Sequence, residues 1–461
     1  MEIFLPKMLR KIGSKILHRH QNVAIDWMMT RPSGGLICDE MGLGKTLTSV
    51  GFLLNKVKPY NLILGPLAVL DQWLSVLKTT NLAIFMIKDN VWMRLKGNPI
   101  FGRVYLTNYD KLTSNTSYFK LPWDNIMCDE AHILRNSESK KYLELKKLDY
   151  KCIWFLTGTP IVNGVRDLGA LMHLIDKKIN PELATLNKGL DWMSTHALQR
   201  TVSQIRELLP GILPSEPIVF NHHLDFTTTA EETFYRGIQG CISQELMCQD
   251  RMDMSIFLGL VMRLRQISTH PQVYINARKK QLGKDYLRKD WAEDSTKTDK
   301  IIDIMRAEKS PHGYVIFCHF NDEMTIIKKR LEKEMCVGNI LMYNGSMTPE
   351  ERSSIIETSE ASVKNDTYCH TVLLVQIQSG GTGLNLQHMD RVIFTSSWWT
   401  AALMDQAVGR VVRLGQNKIV NVHYLMFKEE ATLNIDTYIN TRVEAKRDIC
   451  SQLLAAANHS V

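Results

Sequence analysis

The sequence predicts an α/β chain of two parallel-sheet lobes with a helical insert between them. Three observations carry that expectation. Short apolar runs alternate with helical patterns over about residues 34–175, and the same alternation returns over about residues 312–445. The stretch between, about residues 190–300, is instead rich in Leu, Met, Gln and Arg and has few strand-like runs. Short strands separated by helices imply parallel sheets covered on both faces. The expected bounds are 1–190 for the first lobe, 191–300 for the insert and linker, and 301–461 for the second lobe with a C-terminal helix. The chain has 461 residues; at roughly 100–200 residues per domain that length suits about two to four domains, each able to bury a core.

The strand candidates of the first lobe are Gly35–Cys38, Asn61–Leu64, Arg103–Leu106, Asn125–Cys128 and Cys152–Phe155. Those of the second are Tyr314–Cys318, Ile340–Tyr343, Val372–Gln376, Arg391–Phe394 and Val420–Leu425. Each is a short apolar run, the pattern of a strand buried on both faces. In the insert, Glu231–Gln266 reads as one or two helices.

Composition excludes several classes. Hydrophobic residues make up 44% and charged residues 23%, which is ordinary globular usage and not that of a disordered chain, a collagen-like repeat or a coiled-coil rod. The longest apolar stretches, around Leu62–Leu70 and Ile256–Leu264, fall well short of the ~18 residues of a membrane helix, so no membrane span is expected. The N-terminus has no long apolar run before a small-residue cleavage site, and so no secretory signal. There are nine cysteines, an odd number, and none forms a C-x-x-C pair. Cys241 and Cys248 are the nearest two and have no partner pair, so neither a structural zinc site nor a disulfide framework is expected. The thiols suit a reducing intracellular compartment. Lys and Arg number 56 against 48 Asp and Glu, a net charge of +8. That excess serves ordinary solubility as well as a polyanionic partner, and alone it does not choose between them.

The chemistry is carried by spacing. The strand Gly35–Cys38 runs into Asp39-Glu40-Met41-Gly42-Leu43-Gly44-Lys45-Thr46, and a helical pattern follows. This is a phosphate-binding loop in its required context: glycines let the backbone wrap around phosphates, and the N–H groups of a helix start face negative charge. Lys45 would reach the β- and γ-phosphates and Thr46 would offer its hydroxyl to Mg²⁺. The usual pattern has Gly at the first position, where this chain has Asp39. Without a ligand the same residues would simply start a helix. A second motif, Asp129-Glu130-Ala131-His132, follows the apolar strand Asn125–Cys128, so both carboxylates emerge at the C-terminal end of a strand, the edge where open α/β sheets bind ligands. Asp129 would hold Mg²⁺ through water and Glu130 would orient or deprotonate an attacking water, the two parts that phosphoryl transfer needs. The plainer alternative is an acidic pair that caps the next helix.

Together these motifs resemble helicase superfamily two, and DEMGLGKT followed by DEAH resembles specifically the Swi/Snf-type DNA translocases, with a likeness that covers nearly the whole chain. The resemblance implies two RecA-like lobes, ATP and Mg²⁺ as ligands, and further roles in order. Gln21 matches the adenine-reading glutamine. Leu62–Trp73, with Pro66 and Trp73, and Leu106–Leu112, around Thr107 and Tyr109, match the next segments. Leu156–Asn163 is the coupling motif, with Thr157 and Thr159 as its hydroxyls. Leu264–Pro271 resembles a signature that usually has Cys where Ser268 stands, and Ser295-Thr296-Lys297 resembles the segment leading into the second lobe. That lobe carries Tyr314–Phe320, Tyr343-Asn344-Gly345, Ser379–Leu386 with Gly383 as a coupling residue, and Ser397–Gln416. In the last, Gln406, Arg410, Arg413 and Gln416 keep the family spacing, while Val412-Arg413 stands where members commonly have His-Arg and Thr400-Ala401 where they have Asn-Pro.

Arg410 and Arg413 are expected on one helix face beyond Gln406, as arginine fingers that reach the first lobe's nucleotide when the lobes close; the alternative is surface charge or pairing within their own lobe. The resemblance puts a duplex-DNA track on both lobes through backbone phosphates. Candidate contacts are Thr107, Ser379 and Thr382, with Lys111 and Arg263 as helper cations. Trp398 and Trp399 read as core in preference to base-stacking rings. The basic run Lys7, Arg10, Lys11, Lys15, His18, Arg19 and His20 serves equally as a phosphate contact or as a helix's wet face. The motor fills almost the whole chain and leaves no room for a reader module. This looks like a minimal stand-alone motor, a form also found among large DNA viruses, with targeting left to a protein partner and a nuclear or viral replication site as its setting. The leading reading is an ATP-dependent translocase that remodels protein–DNA complexes. A strand-separating DNA or RNA helicase, a non-catalytic ATP-gated clamp and a metabolic P-loop kinase stand as alternatives.

Overall fold

Alternation along the buried strands decides the layering. In the run Ile126-Met127-Cys128, Ile126 and Cys128 join one core and Met127 the other. In the neighbouring strand Ile153 and Phe155 go with the first core, and Cys152, Trp154 and Leu156 with the second. Successive side chains of a strand point to opposite faces, so a run that is apolar at every position is a strand covered twice. The computed structural model describes residues 10–457 apart from 89–90, 99–101, 115, 162–163, 209–213, 248–253, 366–367, 381–383, 414 and 429–433.

The chain divides into two compact units, Met1–Leu213 with Lys446–Val461, and Pro214–Ala445. The first opens with a small antiparallel hairpin, β1 (Lys11–Ile12) and β2 (Lys15–Ile16). Its main sheet has eight strands: β3 (Gly34–Ile37), β4 (Asn61–Gly65), β5 (Ala83–Lys88), β6 (Val91–Lys96), β7 (Arg103–Asn108), β8 (Trp123–Asp129), β9 (Tyr150–Leu156) and β10 (Ala197–Leu198). Their order is β10-β3-β9-β8-β4-β7-β5-β6. Every pair is parallel except β5 with β6. All five strands expected here are present. The hairpin β5–β6 and the short β10 are additional. They lie at the sheet's two ends: β6 is largely exposed and mixed in polarity, β10 is only two residues long, and β5 does carry an apolar run, Ala83–Ile87, that the strand expectations left out. The last part of the helix Ile435–Ala455 also belongs to this unit, with Leu453 fully buried in its core.

The second unit has a six-stranded, all-parallel sheet of β11 (Ile218–Leu224), β12 (Gly313–Cys318), β13 (Val337–Tyr343), β14 (His370–Gln376), β15 (Arg391–Phe394) and β16 (Asn421–Phe427), in the order β11-β16-β15-β12-β14-β13. The five expected strands are again present. β11 is unexpected: Asn221, His222 and His223 interrupt its apolar run, and it forms because all seven of its residues find parallel partners on β16. The expected helices of the insert are Thr229–Met247 and Met254–Thr269, followed by Pro271–Leu282, and all three belong to this unit. Among the described residues no helix is long and apolar enough to cross a membrane.

A buried ionic knot ties the helix Met254–Thr269, through Ser268, to the helices Thr296–Ala307 and Ile435–Ala455 and to the second sheet. Lys297 and Asp436, 2% and 1% exposed, pair at 2.8 Å. Ser268 joins them: its hydroxyl donates to Asp436 at 3.1 Å and accepts from Lys297 Nζ at 3.1 Å. The N–H of Phe427, at the end of β16, donates to the same carboxylate at 3.2 Å. The hydroxyl of Ser268, where a thiol is usual in the resembling family, is the stronger hydrogen-bonding group in such a network. Removing one partner of a buried pair strands the other charge. Lys297→Met is therefore expected to destabilise the second unit by about 3–5 kcal/mol, and Ser268→Ala by about 1–2 kcal/mol. Urea unfolding read on the second unit checks both, and an unchanged midpoint in Lys297→Met would show that the knot does not hold the fold.

Candidate active site

Because β3, β4, β7, β8 and β9 are parallel, the loops leaving their C-terminal ends share one edge of the first sheet, and the predicted site residues of this unit collect there. β3 ends at Ile37 and the chain turns through Asp39–Gly44 into the helix Lys45–Asn55. Gly42 and Gly44 have φ of +88° and +81°, the left-handed region that glycine enters without a steric cost. A Cβ on Gly44 would also strike the Gln21 amide. The helix's first-turn N–H groups have no intrahelical acceptor and carry the positive end of its dipole. The Lys45 ammonium curls back over the loop and donates to the carbonyls of Asp39 at 2.6 Å and Glu40 at 3.3 Å. The Thr46 hydroxyl accepts from Gln72 Nε2 at 3.4 Å. The Met41 side chain lies against the loop Thr157–Thr159, since a Cβ on Gly158 would sit 3.5 Å from Met41 and 3.7 Å from Lys45 Nζ. Leu43 is buried.

Asp129 closes β8 opposite Leu156 of β9. Trp73 Nε1 donates to its Oδ2 at 2.7 Å, and the Glu130 N–H donates to Oδ1 at 3.0 Å. Burial first, and then the neighbouring Glu130 carboxylate, push the Asp129 carboxyl up to about 6; the Trp73 hydrogen bond and the Lys45 charge oppose that rise. Each oxygen keeps a lone pair beyond the one it uses, so the carboxylate fits a cation held beside Thr46. Glu130 is the only non-glycine with positive φ among the described residues, at +50°. That strained backbone turns its side chain toward His132, whose Nδ1 lies 3.4 Å from Glu130 Oε2 and 3.5 Å from Thr157 Oγ1. Burial lowers the His132 pKa to about 4, so the imidazole is neutral near pH 7 and its link to Glu130 is dipolar, not ionic. The Thr157 hydroxyl in turn accepts from the Thr159 N–H at 3.1 Å. Asp129, Glu130, His132, Thr157 and Thr159 thus form one connected series at the sheet edge.

Gln21 is 1% exposed. Its Oε1 accepts from the His18 N–H at 3.0 Å and its Nε2 donates to the Leu43 carbonyl at 3.3 Å. In this structure the amide holds the loop to the first helix, Arg19–Met29. The basic N-terminal run does not act as one patch. Arg10 pairs with Asp26 at 2.7 Å and His20 is buried against the Leu43 carbonyl, whereas Lys11, Lys15 and Arg19 are exposed; Lys7 lies outside the described residues.

Sequence reasoning missed Arg200. It lies just beyond β10, is fully buried, and grips Asp39 with a fork: Nε donates to Oδ1 at 2.9 Å and Nη2 to Oδ2. Nothing in the local sequence marks it, because its partner lies 161 residues away. The Asp at the loop's first position was the available signal.

In the second unit Gln406 and Arg410 are buried on the helix Ala401–Val411. Arg413 does not share that helix, contrary to the expected single face: the helix ends at Val411, and Gly415 with φ +98° turns the chain away. Burial pulls the Arg413 guanidinium below its usual value. Gln416 Nε2 donates to the carbonyls of Gln387 and Met389 at 3.0 and 2.7 Å. At the C-terminal ends of β13 and β14, Gln376 Oε1 accepts from the Gly345 N–H at 3.3 Å and from the Ser379 hydroxyl at 3.2 Å, bringing the Tyr343-Asn344-Gly345 motif beside the start of the expected track segment Ser379–Leu386. Thr382 and Gly383 lie outside the described residues. Of the other expected contacts, Lys111 is exposed, Thr107 is buried, and Arg263 lies 4.0 Å from Glu245. Trp398 stacks on His319 at 5.1 Å and carries Arg265 over its ring, and Trp399 packs edge-on to Tyr438, so both are packed rings as expected.

A family model described as the SNF2-related domain matches residues 20–273, and one described as the helicase conserved C-terminal domain matches residues 296–415. Among similar proteins, the putative ATP-dependent helicase/translocase YwqA of Bacillus subtilis is 25% identical over 96% of this chain and 49% of its own length. Protein CHROMATIN REMODELING 5 of Arabidopsis thaliana is 26% identical over 84% of this chain and 24% of its own. The probable global transactivator of Orgyia pseudotsugata multicapsid polyhedrosis virus is 25% identical over 93% and 90%. The chain therefore spans about half the bacterial relative, a quarter of the plant one and most of the viral one. The solved SWI2/SNF2 ATPase core of Sulfolobus solfataricus in complex with dsDNA is 23% identical over 99% of this chain and 100% of its own, with a TM-score of 0.40, a likeness too low to bear on what this chain binds. The first match alone covers more than half the sequence and includes the loop, the acidic pair and the coupling hydroxyls: this chain belongs to the SNF2-related family and continues into a helicase conserved C-terminal domain.

Proposed function

We propose that the chain is a DNA-stimulated ATPase that translocates on duplex DNA and displaces or remodels proteins bound there. The observation that carries the proposal is the convergence, on one sheet edge of an SNF2-related domain, of Lys45, Thr46, Asp129, Glu130 and the Thr157–Thr159 loop. The similar proteins include one named a helicase/translocase and one named for chromatin remodelling, which supports motion along DNA as the output.

In this reading Lys45 and the N–H groups of the loop and helix start bind the ATP phosphates. Thr46 and Asp129 would hold Mg²⁺, which when bound supplies positive charge at the phosphates. Glu130 positions the attacking water and accepts its proton. His132, neutral near pH 7, keeps Glu130 in register with Thr157, so the coupling loop senses the state of the site. Gln21 holds the loop against the first helix, and its adenine-reading role follows from the resemblance. Arg413, a half-buried guanidinium whose pKa burial lowers, and Arg410 supply charge for the transition state. Gly383, Gln406 and Thr159 belong to the coupling of hydrolysis to movement. The track takes DNA phosphates through Asn344-Gly345 and Ser379, and a protein partner directs the motor to its target.

The first test is ATP hydrolysis at low salt with no nucleic acid, blunt duplex DNA, single-stranded DNA and duplex RNA, with Lys45→Ala as the blank. Stimulation by blunt duplex that weakens steeply as salt rises is expected, because phosphate contacts release counterions. Stimulation only by single strands or RNA would replace the translocase with a strand-separating helicase. Arg413→Ala is expected to lower kcat by about 10³ or more, with ATP binding within a few-fold of wild type; normal turnover would remove Arg413 from catalysis. Without a cation the Asp129 carboxyl lies near 6, and a bound cation pulls it lower, so the acid limb of the pH profile is expected below about pH 6. Trp73→Phe removes the hydrogen bond that lowers that pKa and should move the limb about one unit toward neutral pH. An unmoved limb would mean another group controls it.

A further inference from the structure

We propose that Arg200 is a positioning residue of the nucleotide site, holding both ends of the phosphate loop in the form that binds ATP. The inference rests on the ATPase reading above. Asp39 occupies the loop's first position, where glycine is usual, and a free carboxylate there would repel a phosphate. Arg200 removes that penalty by taking both carboxylate oxygens in one fork, with both side chains 0% exposed.

The same short segment also fixes the backbone. The Arg200 carbonyl accepts from the Glu40 N–H at 2.9 Å, and the Val202 N–H donates to Glu40 Oε2 at 2.7 Å. Residues 39 and 40 are therefore held through side chain and main chain, and their carbonyls are the two that receive the Lys45 ammonium. The third arm of the guanidinium, Nη1, donates to the His20 carbonyl. His20 Nε2 lies 3.0 Å from the Leu43 carbonyl, and the next residue, Gln21, donates to that same carbonyl. One buried side chain thus references the start of the loop directly and its end through the first helix.

Stability alone does not require an ion pair here. A buried pair is replaceable by apolar groups with little loss, whereas removing one partner is severe. What apolar packing does not reproduce is orientation: the fork fixes the Asp39 carboxylate in plane and bearing beside the main-chain bond from Glu40, and a loop ordered in advance binds its ligand more tightly than one ordered by it.

The test separates the two roles. Arg200→Met alone strands Asp39 and is expected to lower Tm sharply. The double variant Asp39→Gly/Arg200→Met removes both charges and should melt near wild type. In it, affinity for ATPγS by calorimetry in the presence of magnesium is expected to fall about tenfold or more, and KM for ATP to rise in proportion, with kcat at saturating ATP within about threefold. Arg200→Lys keeps the charge without the fork and should lie between. A double variant with wild-type affinity and KM would overturn the proposal, as would one that melts as low as Arg200→Met, which would make the pair structural. Failure of the wild-type protein to bind ATPγS would instead remove the ATPase reading itself.

Discussion

A parallel sheet buried on both faces leaves polar chemistry few places to go. Its faces are filled, its strands are apolar throughout, and charged groups near it gather at the edges where strands begin and end. Parallel pairing then sends the C-terminal ends of β3, β4, β7, β8 and β9 to a single edge. Lys45, Asp129 and the Thr157–Thr159 loop meet there although they are far apart in sequence, because the register of three neighbouring strands aligns Ile37, Asp129 and Leu156. The second sheet repeats the arrangement, and Gly345, Gln376 and Ser379 come together at the corresponding edge.

Within that frame the decisive groups are charges withdrawn from water. Asp39 is paired by the fork of Arg200, and Lys297 by Asp436. Asp129 has no such partner. It is held by a tryptophan N–H and a backbone N–H, and its pKa is raised to about 6. The contrast is physically coherent. A carboxylate that only organises a loop is best neutralised, whereas one that is to bind a cation must keep lone pairs and some unsatisfied charge. Arg413 is the complementary case in the second unit, a cation drawn partly out of water. Buried, incompletely compensated charge of this kind tends to mark functional positions.

The ten strands expected from continuous apolar runs are all present because such runs have one stable use, a position between two cores. The elements that escaped are those whose formation depends on a partner. β11 contains Asn221, His222 and His223 and is a strand because β16 is beside it. At the sheet ends, β6 is largely exposed and β10 is two residues long, so neither shows a pattern of its own, whereas the apolar run Ala83–Ile87 of β5 was legible and passed over. The helix carrying Gln406 and Arg410 stops at Val411, so residue spacing alone misplaced Arg413 on its face. The side chain of Gln21 was legible as a site residue, but its two internal hydrogen bonds were not.

The sequence by itself determined the class of fold and the nucleotide chemistry, since both rest on local features: apolar runs of strand length, glycines at two left-handed positions, and a lysine, threonine and acidic pair at the ends of strands. Tertiary structure alone decided how the charges are balanced. That Asp39 is answered by Arg200, that Asp129 is held by the Trp73 N–H with the Lys45 charge acting on it, and that Lys446–Val461 belongs with the first unit depend on groups separated by tens to hundreds of residues. Electrostatic partners are fixed by distance in space, and distance in space between remote segments is not written in any short stretch of chain.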